Sequence, residues 1–200
     1  MAVTVLPTER SEEVVTVLCD AFYNYPVMRY VLGDTPDYAG RLTTLSGLFV
    51  AARANPDGLM LGLDDPAGTM VGGAMIDLPG KGALTPAFEA FRKSAWEELG
   101  DDARTRYEAY GRASREHNHG PQHHHLGMIG VLRSHHGSGL GRVLLEHVHA
   151  LAEADPRSTG VSLTTELARN VILYEHFGYH VTAHVRVAPE LETWLMFRPC

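Results

Sequence analysis

The chain has 200 residues, 44% of them hydrophobic, and a formal net charge of -7, which suits one domain spanning residues 1–200 around one sizeable core. The acidic balance and the lack of a long basic run argue against a nucleic-acid-binding protein, and no apolar run approaches membrane-spanning length. Cys19 and Cys200 are too few for a disulfide framework or a zinc site, and without a recognisable signal peptide they predict a cytoplasmic protein with no membrane partner.

The first half of the chain alternates between strand and helix patterns. A short strand precedes apolar residues that recur at helical spacing over 14–22 and again over 42–49. Residues 58–63 and 69–76 then read as a hairpin. The whole chain reads as strand, helices, strands, helices, strand, helix, strand, helix and two closing strands. This order predicts an α+β layered fold with a mixed central β-sheet flanked by helices.

Residues 88–116 form a charged, helical segment with a predicted stop at Gly100. One apolar stripe consists of Phe88, Phe91, Ala95 and Leu99. A second stripe carries Tyr107 and Tyr110. Such stripes usually pack in a core. The alternative is that the two tyrosines, with Glu108, line a cover over a ligand pocket, and the sequence leaves both interpretations open.

Histidines cluster between this segment and the next strand. The cluster comprises His117, His119, His123, His124 and His125, with His135 and His136 beyond the strand. Their spacing matches no standard zinc motif, and no cysteine or closely placed carboxylate completes a ligand set. We therefore predict a solvated loop that leads into the strand, with no metal. A metal-binding regulatory protein that uses this cluster is a more distant alternative.

Three glycines stand at alternate positions where a predicted strand over 126–131 meets an amphipathic helix. Gly137, Gly139 and Gly141 leave backbone NH groups uncovered, and the helix that they open directs its first-turn donors and positive dipole end at the same place. The junction is therefore suited to binding a pyrophosphate.

Competing interpretations of the glycine loop require residues that are absent. A dinucleotide fingerprint would need glycine at Arg142 or at Leu144, and no Walker-type motif occurs in the chain. A nucleophile elbow around Ser138 would need glycine at His136. A glycine-rich turn without a ligand stays open.

A second motif follows the strand that ends near residue 165. It carries Asn170, then Tyr174, then Gly178 with Tyr179 directly behind it. Together the two motifs resemble the acetyl-CoA-binding core of the GNAT acyltransferase superfamily, whose loop reads R/Q-x-x-G-x-G/A and whose later helix carries Asn, Tyr and a Gly-aromatic end. His136 departs from the arginine or glutamine that opens the loop. Segments near both chain ends are closest to puromycin N-acetyltransferase-like members of that superfamily.

The resemblance implies a GNAT-like acyl-CoA N-acyltransferase fold, acetyl-CoA as cosubstrate and no metal. It implies that the NH of Ile129 faces the thioester carbonyl and that Val131 pairs its backbone with the pantetheine arm. The implied cofactor-binding residues are Ile129, Val131, His136, Gly137, Ser138, Gly139, Leu140, Gly141, Asn170 and Tyr174.

The chemistry of amine acetylation indicates the remaining roles. Tyr174 is the candidate general acid, because a phenol with a reference pKa of about 10 is protonated at neutral pH and can donate to a thiolate. Glu166 and His125 are candidate general bases, and a water chain to solvent is an equal alternative. We expect acetyl transfer to the primary amine of a small molecule in a ternary complex, and the chain could form a homodimer. The alternative is an inactive acetyl-CoA-binding sensor or scaffold.

Overall fold

The computed structural model describes residues 1–54, 58–80, 85–115 and 122–200. Its helices are α1 (Ser11–Phe22), α2 (Pro26–Leu32), α3 (Tyr38–Arg53), α4 (Pro86–Leu99), α5 (Asp101–Arg115), α6 (Leu140–Ala154) and α7 (Ala168–His176). Its strands are β1 (Val3–Val5), β2 (Gly58–Asp64), β3 (Met70–Asp77), β4 (His124–Val131), β5 (Gly160–Thr165), β6 (His180–Ala188) and β7 (Leu191–Pro199). The predicted order of elements is confirmed.

The strands of the described chain form one mixed sheet in the order β1-β2-β3-β4-β5-β7-β6. The pairing of β4 with β5 is parallel, and the other pairings are antiparallel. Two hydrophobic clusters cover the sheet: one contains Met75 and the helices α1 to α4, and the other contains Ile76 and α6. Consecutive strand residues face opposite sides of a sheet, so the clusters lie on its two faces. None of the described helices is long and apolar enough to cross a bilayer.

Strands β4 and β5 diverge after a short parallel contact. Their register runs from His124 opposite Val161 to Leu126 opposite Leu163, and pairing stops there although both strands continue. The register of β4 with β3 also shifts at this point, where Gly127 is the extra residue of a bulge. The divergence leaves a gap beside the second half of β4.

The charged segment folds as predicted into two helices, α4 and α5, separated at Gly100. Within the first apolar stripe Phe88, Ala95 and Leu99 are buried. Phe91 is 45% exposed, so the expected core packing does not hold for this residue of the stripe. It lines an open groove with Phe88 and with residues of α1 and α3. Glu116, at the predicted end of the segment, lies outside the described residues.

Candidate active site

The start of α6 forms an open anion cradle. Gly139 precedes the helix with φ of +81°, a conformation that side chains with a Cβ rarely adopt. A Cβ built on Gly137, Gly139 or Gly141 would meet no atom within 4 Å, so the space above these backbone groups is free. Leu140 is buried beneath the cradle and anchors the first turn. A group with negative charge can therefore approach the unpaired NH groups of this helix end.

Side-chain contacts hold the loop before the cradle. Asp20 of α1 accepts from the backbone NH and from the Nε of Arg133, at 2.6 and 2.9 Å. The Nε2 of His136 donates to the Val131 carbonyl at 3.1 Å. Ser138 donates to the carbonyl of His135, so its hydroxyl is turned into the loop rather than toward the cradle. The side chain of Ser138, one of the predicted cofactor-binding residues, therefore does not face the open space above the cradle.

The free edge of β4 points into the gap. The NH of Leu132 donates to the carbonyl of Val71 on β3 at 2.9 Å. Because amide groups alternate between the two edges of an antiparallel strand, those of Ile129 and Val131 face away from β3 and toward the gap. The NH groups of both residues and the carbonyl of Ile129 are therefore available to pair with an extended ligand, while the Val131 carbonyl also accepts from His136.

Two cavities meet at the gap. The outer groove contains the cradle and the predicted loop residues His136, Gly137, Gly139, Leu140 and Gly141. The inner cavity runs from Glu166 to His125 beneath α5. Both cavities are lined by Phe22, Tyr25, Ile129, Asn170 and Tyr174. A ligand in the outer groove can thus present its end to a second ligand in the inner cavity.

Helix α7 positions Tyr174 at this junction. The Nδ2 of Asn170 donates to Thr165 Oγ1 at 3.2 Å and ties the start of α7 to the end of β5. At the other end, Gly178 adopts φ of +86° and lets the NH of Tyr179 return to the Tyr174 carbonyl at 3.1 Å. The rings of Tyr174 and Tyr179 then pack edge to face at 5.6 Å. Burial and the charge of Glu166 raise the pKa of Tyr174 to about 12, so its hydroxyl is protonated at neutral pH.

Glu166 is a buried carboxyl in the inner cavity. Tyr110 of α5 and Thr193 of β7 donate to its Oε1, each at 2.8 Å. Burial raises the pKa of Glu166, although the hydrogen bonds oppose this change. Glu166 directly follows the end of β5 and lines the inner cavity together with Ile129.

His125 lines the inner cavity at the end away from the gap. Its Nδ1 lies 2.9 Å from Ser162 Oγ, and burial lowers its pKa to about 4. His125 is four residues from Ile129, which corresponds to roughly 13 Å along a strand. Of the two predicted bases, Glu166 is therefore the one next to the gap.

The tyrosines of α5 line the inner cavity, as one of the two sequence interpretations expected. Tyr107 and Tyr110 both face it. Glu108 does not, because it points to the outer surface and pairs with Arg104 at 3.0 Å.

The histidine cluster is dispersed where the structure describes it. His124 is buried and lies 2.9 Å from Ser158 Oγ, and His123 is buried against Phe197, so the expected solvated loop is wrong for both residues. They belong to the start of β4 and the turn before it, which pack against β5 and β7. Within the described residues, no group of three or more His, Cys, Asp or Glu could hold a metal ion. His117 and His119 lie outside the described residues.

Several residues of the site were not found from the sequence. Tyr25 hydrogen-bonds Thr165 Oγ1 at 3.0 Å and receives the NH of Glu166 at 3.3 Å. Thr193 lies on β7, and Arg53 lies in the last turn of α3. No local motif marks them, since each reaches the site only through the packing of distant elements.

Comparison with known proteins supports the fold. The family model of the acetyltransferase (GNAT) domain matches residues 100–181, which include the glycine loop and α7. The chain is similar to a structure from Corynebacterium glutamicum described as histone acetyltransferase HPA2 and related acetyltransferase, with 21% identity, a TM-score of 0.70, and coverage of 100% of this chain and 98% of that one. The expected GNAT-like fold is confirmed.

Two further structures share the fold at lower identity. Arylalkylamine N-acetyltransferase 2 from Aedes aegypti has 15% identity and a TM-score of 0.66, over 98% of this chain and 97% of that chain. PaiA N-acetyltransferase from Thermoplasma acidophilum, in complex with coenzyme A, has 12% identity and a TM-score of 0.57 over 100% of both chains. The similarity to puromycin N-acetyltransferases in particular finds no support in these comparisons.

Proposed function

We propose that this chain transfers the acetyl group of acetyl-CoA to the primary amine of a small molecule, by direct attack within a ternary complex. The observation that carries the proposal is the junction of the outer groove with the inner cavity beside the free edge of β4. Glu166 and Tyr174 both line the inner cavity near this junction, so a base and an acid are available where the two substrates would meet.

The residues of the outer groove fit acetyl-CoA. The cradle of Gly137, Gly139 and Gly141 is open to a diphosphate, and the basic side chains Arg142 and Arg169 line the same groove. The amide groups of Ile129 and Val131 would pair with the pantetheine arm, and the NH of Ile129 would donate to the thioester carbonyl. Bound there, acetyl-CoA supplies an activated acetyl group at the mouth of the inner cavity.

Glu166 and Tyr174 then act on the two protons of the reaction. Glu166 accepts the proton that the amine must lose before or during attack, and its raised pKa strengthens it as a base. Tyr174 donates its proton to the sulfur as the bond between sulfur and carbon breaks. We also propose a cytoplasmic location, which the free thiols of Cys19 and Cys200 favour.

The test is amine-dependent release of CoA thiol by the purified protein, with a panel of aminonucleosides, aminoglycosides, polyamines, amino acids and lysine peptides. We expect turnover of at least one small amine. Tyr174→Phe keeps the ring and removes the donor, so kcat should fall by about a hundredfold while the Kd for acetyl-CoA changes little. Binding of acetyl-CoA without thiol release for any amine would indicate a sensor or scaffold. Acetylation of peptides alone would contradict a small-molecule acceptor.

A further inference from the structure

The inner cavity has a guanidinium group in its wall that the proposed transfer does not use. Arg53, at the end of α3, has a side chain that is 17% exposed, and its Nη2 donates to Asp77 at 2.8 Å. Its Nη1 makes only a long contact of 3.4 Å with the Phe49 carbonyl. Its Nε has no hydrogen-bond partner among the described residues. The Nε is itself buried, but the Arg53 side chain lines the cavity and its two terminal nitrogens, which carry four N–H donors, have one acceptor each among the described residues.

The position of this guanidinium is fixed relative to the gap. A Cβ built on Gly127 would lie 3.0 Å from Arg53 Nη2, so the group sits directly over that residue. The Glu166 carboxyl group and the Arg53 guanidinium both belong to the lining of this cavity, at separate places in its wall.

Much of the remaining lining of the cavity is apolar and rich in rings. Its lining residues include Val27, Met28, Val31, Leu45, Phe49 and Tyr107. An acceptor with several ammonium groups would lose the hydration of these groups against the apolar lining, and they would also be repelled by Arg53. Both effects are unfavourable. An apolar body with a single hydrogen-bond acceptor at the far end matches the lining.

We infer that the acceptor is a primary amine with an apolar, ring-containing body and a carbonyl oxygen at the end of that body remote from the amine, bound by Arg53. This inference rests on the proposed acetyl transfer. A neutral carbonyl is preferred to a carboxylate because Arg53 already pairs with the Asp77 carboxylate, which would repel a second anion. The amine then lies at Glu166 while Arg53 sets the depth to which the body enters.

The test compares two amines that differ only at the far end. In 4-(aminomethyl)benzamide a carbonyl oxygen stands at the end of the ring opposite the amine, and in 4-methylbenzylamine a methyl group replaces the amide. We expect wild-type kcat/KM to be about tenfold or more higher for the amide, as one hydrogen bond to a charged donor provides. Both amines should exceed spermidine.

Two arginine variants separate recognition from general effects. In Arg53→Met the ratio of kcat/KM between the two amines should fall to about one, because the donor is gone. Arg92→Met makes the same change on an exposed arginine of α4 outside the inner cavity, and there the tenfold ratio should persist. Melting temperatures of both variants show whether each is folded.

The possible outcomes distinguish the two proposals. Turnover of spermidine in preference to both aromatic amines, or a ratio near one in the wild type, would overturn the inference and leave acetyl transfer standing. A ratio that survives in folded Arg53→Met would overturn the role of Arg53. Absence of thiol release with every amine, despite binding of acetyl-CoA, would overturn the proposed function and the inference together.

Discussion

Glu166 brings together burial, partial hydrogen bonding and access to the inner cavity. Its backbone NH donates to Tyr25 and its Oε1 accepts from Tyr110 and Thr193, so three distant parts of the chain hold this residue. Burial disfavours the ionised form and raises its pKa, which is the change that a general base for an amine requires. The raised pKa of Glu166 also means that its ionised form lowers the stability of the folded state.

We expect Glu166→Gln to lower kcat/KM by about a hundredfold and to remove the acidic limb of the pH profile. In the wild type, activity should rise as pH increases through the raised pKa of Glu166, because only the carboxylate accepts a proton. The measurement is kcat/KM against pH for both proteins with one amine acceptor. An unchanged pH profile in Glu166→Gln would assign the base to water or to His125.

The Glu166→Gln variant also tests how the buried carboxylate affects the stability of the folded state. A carboxyl whose pKa is raised by folding contributes stability below its unfolded pKa, and this contribution is lost as pH rises through its folded pKa. Glutamine retains an oxygen for Tyr110 and carries no charge. We therefore expect Glu166→Gln to melt at least about 2 °C above the wild type at pH 8, with a smaller difference at pH 5. A lower melting temperature at pH 8 would contradict the cost assigned to the buried charge.

At the scale of elements, the start of α6 combines a free helix end with glycines that expose it. Gly141 lies within the first turn in ordinary helical geometry, and a Cβ there would touch nothing. Substitution at this position therefore tests ligand binding without straining the backbone. Gly139 has a positive φ, so a substitution there would strain the backbone in addition to any effect on ligand binding.

We expect Gly141→Asp to weaken binding of CoA by about tenfold or more, because the carboxylate repels the diphosphate. The fold should not be destabilised, since an acidic residue replaces glycine near a helix N-terminus. Gly141→Asn has nearly the same shape without the charge and serves as the control. Calorimetry at low and high salt checks the effect, and the difference between the two variants should shrink at high salt. Equal affinities at low salt would argue against an anion at this helix end.

The contact between α1 and the loop after β4 is a second element-scale feature. Burial opposes ionisation of Asp20, yet the hydrogen bonds from Arg133 hold its pKa below the usual range. The contact therefore persists at neutral pH and fixes the segment that leads into the cradle.

We expect Asp20→Asn to raise the Kd for acetyl-CoA by about threefold to tenfold, because it loses a charge-assisted hydrogen bond. The value of kcat at saturating acetyl-CoA should stay near that of the wild type. Asp155→Asn is the matched control, since Asp155 also pairs with an arginine but lies at the opposite end of α6. Steady-state kinetics with acetyl-CoA as the varied substrate separate the two parameters. A fall in kcat without a change in KM would assign Asp20 a different role.

At the scale of the whole molecule, the two cavities meet where β4 and β5 diverge. Several residues at this gap line both cavities. The junction residues come from α1, the loop after it, β4 and α7. Neither cavity has a cysteine among its described lining residues. This arrangement favours direct attack by the acceptor while both substrates are bound.

We accordingly expect sequential kinetics. Double-reciprocal plots with both substrates varied should intersect, and the protein incubated with acetyl-CoA alone should gain no acetyl group by mass spectrometry. Parallel lines together with an acetylated residue would contradict direct transfer and require a covalent intermediate.

Local sequence was sufficient where one segment supplies the geometry. The glycines before α6 form a complete helix start within a few residues, so their spacing predicts it, and the Asn170 to Tyr179 segment was predicted by its resemblance to the GNAT motif. The packing of Phe88 and Phe91 was predicted only in part, because helical spacing does not say how deeply each residue of a stripe is buried. The buried positions of His123 and His124 were missed because their partners lie far away in sequence.

The amino-acid sequence by itself determined the order of elements and the glycine loop that opens α6, because these depend on periodicity and on backbone conformation over a few consecutive residues, and its resemblance to the GNAT motif indicated the helix that carries Tyr174. Only the tertiary structure decided that Glu166 is held by Tyr110 and Thr193 and that Arg53 reaches Gly127. Those contacts join α5 and β7 to the residue that follows β5, and α3 to the middle of β4, where the two strands diverge. The packing of the whole sheet fixes where β4 and β5 diverge, so no single segment of the sequence encodes this position.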